Sequence, residues 1–176
     1  DVIMGASLPL TYASEHFFAM KVLAEMLGGT SFTSHLMQTI RERDGLTYGV
    51  YARLAGLEGG ADGYLKIWAN FSPARYAHSV DMLKKEVSNF FSLGITGEAL
   101  ERNKERICGA YQVSLSTTTG LASVLHNLAT QGRPLDYLET FPQHIETVTL
   151  DAVHAASDLI PKRDLSIVAA GTFPKS

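Results

Sequence analysis

LGGTSFTSHLMQTIRERDGLTYGVYARL, running from Leu27 to Leu54, is the stretch whose reading decides the fold. Gly28 and Gly29 end whatever helix precedes them, because glycine takes a left-handed cap without steric penalty. Thr30, Ser31 or Thr33 then supplies a hydroxyl to cap a new helix. Phe32, Leu36, Met37 and Ile40 recur at helical spacing and predict its buried face. Asp44-Gly45 is a turn signal. Beyond it Leu46, Tyr48, Val50, Ala52 and Leu54 alternate with Thr47, Gly49, Tyr51 and Arg53, the period of a strand. This reading sets Arg41 at the end of a helix and Tyr48 early in the following strand.

Upstream, Val2 to Leu10 is apolar and reads as a buried strand that stops at Pro9 or lies at a sheet edge. Phe17, Met20, Leu23, Ala24 and Leu27 predict a helix between Tyr12 and Leu27. Downstream, the glycine-rich residues 56 to 63 exceed a tight two-residue hairpin turn, so a mobile connection is expected. Leu65, Ile67, Ala69 and Phe71 alternate with Tyr64, Lys66, Trp68 and Asn70. They predict a strand antiparallel to the one carrying Tyr48, with Tyr48 and Trp68 on neighbours, since parallel pairing needs a longer crossover. Ser72-Pro73 starts a helix with a hydroxyl cap and a first-turn proline. It packs through Val80, Leu83, Val87 and Phe90 or Phe91, and Gly94 ends it. Thr96 caps another helix through Leu100, Ile107 and Tyr111, which the threonines at 117 to 119 and Gly120 break. Leu121 to Leu128 make a further helix, stopped by Gly132 and Pro134. Residues 137 to 145 are ambiguous, with a short helix near Pro142 as one reading. Thr149 and Asp151 open a last helix through Val153, Ala156 and Ile160, and Leu165 to Ala170 form a last buried strand. The order predicts an α+β fold: a mostly antiparallel sheet with helices packed on one face.

Composition narrows the function classes. The chain has 176 residues, 45% of them hydrophobic and 19% charged, which suffices for one well-packed domain. A net charge of −3 argues against general binding to nucleic acid or anionic membranes. No apolar run approaches a membrane span. The lone cysteine, Cys108, rules out an internal disulfide framework. Asp1 opens within a strand-like run, which reads as a piece cut from something longer.

The central stretch resembles the M16 family of zinc metallopeptidases, the pitrilysin, insulinase and mitochondrial-processing-peptidase group. The matching residues are Leu27-Gly28-Gly29, Arg41 at a helix end, and Gly45-Leu46-Thr47-Tyr48 leading into a strand. The departure is His35, where relatives often have Arg in a Ser-Arg-Leu run. The resemblance implies an M16 half-domain fold over residues 1–176, as the C-terminal, non-zinc-binding domain. It implies that Arg41 and Tyr48 are catalytic contacts, meeting substrate across an enclosed chamber. Zinc, on a His-x-x-Glu-His helix, would belong to a partner domain or subunit, with no cofactor in this chain. The implied partners are that zinc-bearing half and a peptide or protein substrate. Alone, the chain is expected to be no enzyme. The alternative it leaves open is an M16-like scaffold subunit without catalysis. The compartment is not readable from the residues; the likeness to bacterial M16-like proteins makes the periplasm the expectation.

Spacing alone allows plainer roles. Arg41 reads equally as a solvated helix-end charge. Tyr48 shares the parity of Leu46 and Val50 and reads equally as core. Of the six histidines, none pairs with another at the spacing a zinc helix requires. Glu15-His16 is half of such a motif, with Tyr12 where the first ligand would stand, and is read as coincidence. His154 and Asp158 read as a surface polar pair, and Cys108 as a buried inert thiol. M16 enzymes also add substrate as a strand at a sheet edge, but the sequence does not say which strand is the edge here.

Overall fold

A computed structural model describes residues 1–29, 32–57, 60–162 and 164–172. Among these residues four strands form one fully antiparallel sheet in the order β2-β3-β1-β4. They are β1 (Val2–Ser7), β2 (Val50–Ala55), β3 (Tyr64–Ala69) and β4 (Ser166–Ala169). The edges are therefore β2 and β4. Proline explains where β1 stops: Pro9 lies beyond its end, and β1 is an interior strand that cannot spare an N–H.

Among the described residues six α-helices accompany the sheet: α1 (Phe17–Gly28), α2 (Tyr76–Asn89), α3 (Gly97–Leu115), α4 (Thr118–Thr130), α5 (Tyr137–Glu146) and α6 (Leu150–Asp158). The helix around Pro142 is thus real and ten residues long, with the proline inside it. Three of the helix starts use threonine caps. Thr96, Thr117 and Thr149 accept hydrogen bonds from the N–H groups of Ala99, Gly120 and Ala152, each satisfying a donor the helix cannot. Ser72 differs. It precedes a single 3₁₀ turn, Pro73–Arg75, that leads into α2, and its hydroxyl makes no capping bond.

The core lies between one sheet face and the helices. Val2, Met4, Val50, Ala52, Leu65, Ile67 and Ala69 point inward from the strands, against Met20, Leu23 and Leu27 of α1. Leu83 and Val87 of α2 join the same core, as expected. The outer sheet face carries Tyr51 stacked on Trp68 with centroids 5.8 Å apart.

Three expectations are corrected. The Gly28-Gly29 break is not a left-handed cap: Gly29 has φ −60° and ψ 174°. Gly28 belongs to α1 and lets it lie against the edge strand, since a Cβ there would sit 2.6 Å from the Ala52 nitrogen. Phe32 is 57% exposed and does not join the buried face of the next helix, although Leu36, Met37 and Ile40 do. The strand after Gly45 begins at Val50, four residues later than the alternation suggests, so Tyr48 lies before β2 rather than on it, although β2 and β3 are antiparallel neighbours as expected, with Tyr51 opposite Trp68. Thr30 and Ser31, offered as caps, lie outside the described residues. So do residues 58 and 59 of the connection expected to be mobile.

Candidate functional site

The helix that carries Arg41 is wound wide. Met37–Arg43 is π-helical, and the Asp44 N–H reaches back five residues to the Thr39 carbonyl at 3.0 Å. Gly45, at φ +58°, then reverses the chain in a conformation that a side chain resists. The Leu46 N–H donates to the Ile40 carbonyl at 3.0 Å, and the Leu46 side chain is buried. This fixes where the next residues leave the helix.

Thr47 anchors them. Its hydroxyl accepts from the Gly49 N–H at 3.1 Å. It lies 2.5 Å from the Asn70 carbonyl oxygen, 2.6 Å from Asn70 Oδ1 and 2.9 Å from the Gly49 carbonyl oxygen, so its single proton serves one of these at a time. Between two anchored residues the chain bends at Tyr48 and turns the ring outward, 89% exposed. The core reading of Tyr48 fails for that reason. Parity predicts burial only in a strand, and residues 46–49 are tied down by hydrogen bonds instead.

Arg41 is half-buried, with its guanidinium 4.6 Å from the centre of the Phe32 ring, a cation–π contact. That contact gives the exposed Phe32 a role. Arg41 and Tyr48 line one open cleft of about 580 Å³, together with Thr47, Asn70, Ser72 and Arg75. Among the described residues no acidic one lines it. The sequence reading missed Arg75, Thr47 and Asn70. The available signal was register: the Asn70 N–H donates to the Gly49 carbonyl, so the end of β3 carries residues 70–75 to the segment containing Tyr48.

The departure at His35 has a structural consequence. Its Nε2 lies 3.1 Å from the Glu86 carbonyl oxygen and 3.2 Å from Glu86 Oε2. Glu86, on α2, is only 3% exposed. Its carboxylate also takes hydrogen bonds from Arg43 Nη2 at 3.1 Å and Asn89 Nδ2 at 3.3 Å. Arg43 grips Asp44 as well, at 2.7 and 2.8 Å, and that grip holds the Asp44 carboxyl below its ordinary range. Burial lowers the His35 basicity, against the pull of Glu86. The network ties the Arg41-bearing helix to α2 without using Arg41 itself.

The other candidates are placed plainly. His16 lies 3.4 Å from Glu15 on the surface. Asp158 pairs with Lys162 at 3.1 Å, not with His154. Cys108 is half-buried rather than buried, its Sγ 3.8 Å from the Pro142 carbonyl oxygen, and burial pushes its thiol up. Among the described residues no group of three or more His, Cys, Asp or Glu could hold a metal ion. No described helix is long and apolar enough to cross a membrane. A separate cavity of about 300 Å³ surrounds Lys21 and contains neither Arg41 nor Tyr48.

Chemically, the cleft is lined by a planar guanidinium and a phenol hydroxyl, both hydrogen-bond donors. Such a pair suits an oxygen that gains negative charge.

Comparison with known proteins agrees with the fold. Residues 1–107 match the family described as the peptidase M16 inactive domain. A "non-peptidase homolog" of Helicobacter pylori is 28% identical over 87% of this chain and 35% of its own length. An uncharacterized zinc protease of Mycobacterium leprae is 30% identical over 92% of this chain and 36% of its own. The crystal structure of a peptidase M16 inactive domain from Pseudomonas fluorescens superposes with a TM-score of 0.80 at 24% identity, covering 99% of this chain and 42% of that one. The fold is therefore α+β of the M16 half-domain type. The chain belongs to the M16 peptidase family, as an inactive half of zinc-protease-like proteins, and spans about a third of the length of those curated relatives.

Proposed function

We propose that this chain is the non-zinc half of an M16 metallopeptidase, covering residues 1–176 as one C-terminal-type domain. In this reading it completes a peptide-hydrolysing site whose zinc and general base sit in another domain or subunit. The observation that carries it is that Arg41 and Tyr48 line one cleft with no acidic lining among the described residues, with Tyr48 held out from the core. Arg41 and Tyr48 face the substrate carbonyl and stabilise its oxygen as charge develops. The partner half supplies the zinc-activated water. Arg41 brings a planar fork of donors and Tyr48 a single hydroxyl donor.

A second reading has a specific observation behind it. One relative is described as a non-peptidase homolog, which favours an M16-like scaffold without catalysis. Peptidase assay of the full-length, zinc-loaded protein separates the two. The proposal expects zinc-dependent peptide hydrolysis, with the metal bound outside this chain and no stoichiometric zinc on this chain alone. Peptide binding without hydrolysis at full zinc occupancy supports the scaffold.

A further inference from the structure

The arginines of this chain are not used alike. Arg43, Arg102 and Arg106 each face a carboxylate: Asp44 and Glu86 for Arg43, Glu98 for Arg102, and Glu25 for Arg106. Arg41 and Arg75 line the same cleft and have no acidic partner among the described residues. Arg75 lies at the end of the 3₁₀ turn that opens α2, where the helix dipole adds positive potential. Ser72, one turn earlier on the same wall, keeps its hydroxyl free of any capping bond.

Two guanidinium groups, a helix start and a serine hydroxyl that makes no capping bond lie around one cleft with no acidic lining among the described residues, a chemistry that suits an anion. Only one of the two cations is needed to steady a scissile carbonyl. From this surplus we infer that Arg75 is a specificity-determining residue, which binds a carboxylate of the peptide beside the Arg41 and Tyr48 position. The inference rests on the proposed peptide-binding role of this cleft. The carboxylate has two possible sources in a peptide, an Asp or Glu side chain or the free C terminus, and both present the planar oxygens that a guanidinium fork matches.

The test is a binding measurement on the full-length protein with zinc removed by chelator, so that hydrolysis does not intrude. The probes are fluorescent peptides carrying a single Glu or Gln scanned through an otherwise neutral sequence, each with a free or an amidated C terminus. The wild type is expected to bind one Glu position, or the free C terminus, about three- to fivefold more tightly than its neutral counterpart, the range for one partly exposed ion pair. Which arm responds identifies the source. Arg75→Gln is expected to abolish that preference while leaving the unfolding temperature unchanged. Arg75→Lys should keep part of it, and added salt should weaken it. Equal binding of acidic and neutral peptides by the wild type overturns the inference, as does a preference that survives Arg75→Gln. Because Tyr48→Phe should leave this preference intact, failure of the catalytic reading and failure of this one register in different measurements.

Discussion

Arg41 and Arg43 sit two residues apart on one helix and have opposite surroundings. Arg43 is saturated by Asp44 and Glu86, whereas Arg41, among the described residues, rests on the Phe32 ring. Residue type alone could not separate them, since both read as helix-end charges. The difference comes from α2, which presents Glu86 to Arg43 and leaves Arg41 to the cleft. A lysine at position 41 would keep the charge and the ring contact and lose the planar fork. Arg41→Lys is expected to lower the turnover number of the assembled enzyme about tenfold, or roughly 1.4 kcal/mol of transition-state stabilisation, with an unchanged unfolding temperature. Unchanged turnover would return Arg41 to the role of a solvated charge.

The elements make two further predictions. Gly28 permits the approach of α1 to β2, with the Ala52 nitrogen 2.6 Å and the Ala52 Cβ 2.8 Å from where a Gly28 Cβ would stand. Gly28→Ala is therefore expected to destabilise the fold by about 1–3 kcal/mol, because backbone must shift, read as a lower denaturation midpoint. An unaffected midpoint would mean that the helix slides freely on the strand. His35 carries the second. Its folded basicity lies below the ordinary 6.5, chiefly through burial, so on acidification the unfolded chain takes up the proton first. Its contribution to stability is full above pH 6.5 and is lost as pH falls through that value towards the lower folded one. The unfolding temperature should drop across this window in the wild type and less so in His35→Gln. A rise on acidification would mean instead that protonated His35 is held by Glu86.

These elements also mark what the sequence makes legible. Strand and helix order follow from periodicity and from the threonine caps, because burial on one face imposes both. The span 46–49 does not follow, since its alternation imitates a strand while Thr47 and Asn70 tie it into a bend. Gly28 reads as a breaker because close packing against Ala52 leaves no local signal. Arg41 and Tyr48 are visible as a spaced pair seven residues apart. Arg75 is not, because it reaches the cleft only through the pairing of β2 with β3 and the turn after it.

At the scale of the whole molecule, the helices cover one sheet face, and the cleft opens at the end of the sheet where β3 runs out and the segment leading into β2 begins. In the proposed function this cleft is one wall of a larger site; the chain spans about a third of the length of its curated relatives. The catalytic reading needs the other wall, and its most direct test is the turnover of a fluorogenic peptide by the full-length protein carrying Tyr48→Phe, at zinc content matched to wild type. The substitution removes one hydroxyl from a ring that is 89% exposed, so folding should be untouched. The account predicts that turnover falls at least about tenfold, towards the hundredfold typical of a lost oxyanion donor, while zinc content and unfolding temperature hold. Full turnover in Tyr48→Phe would contradict it.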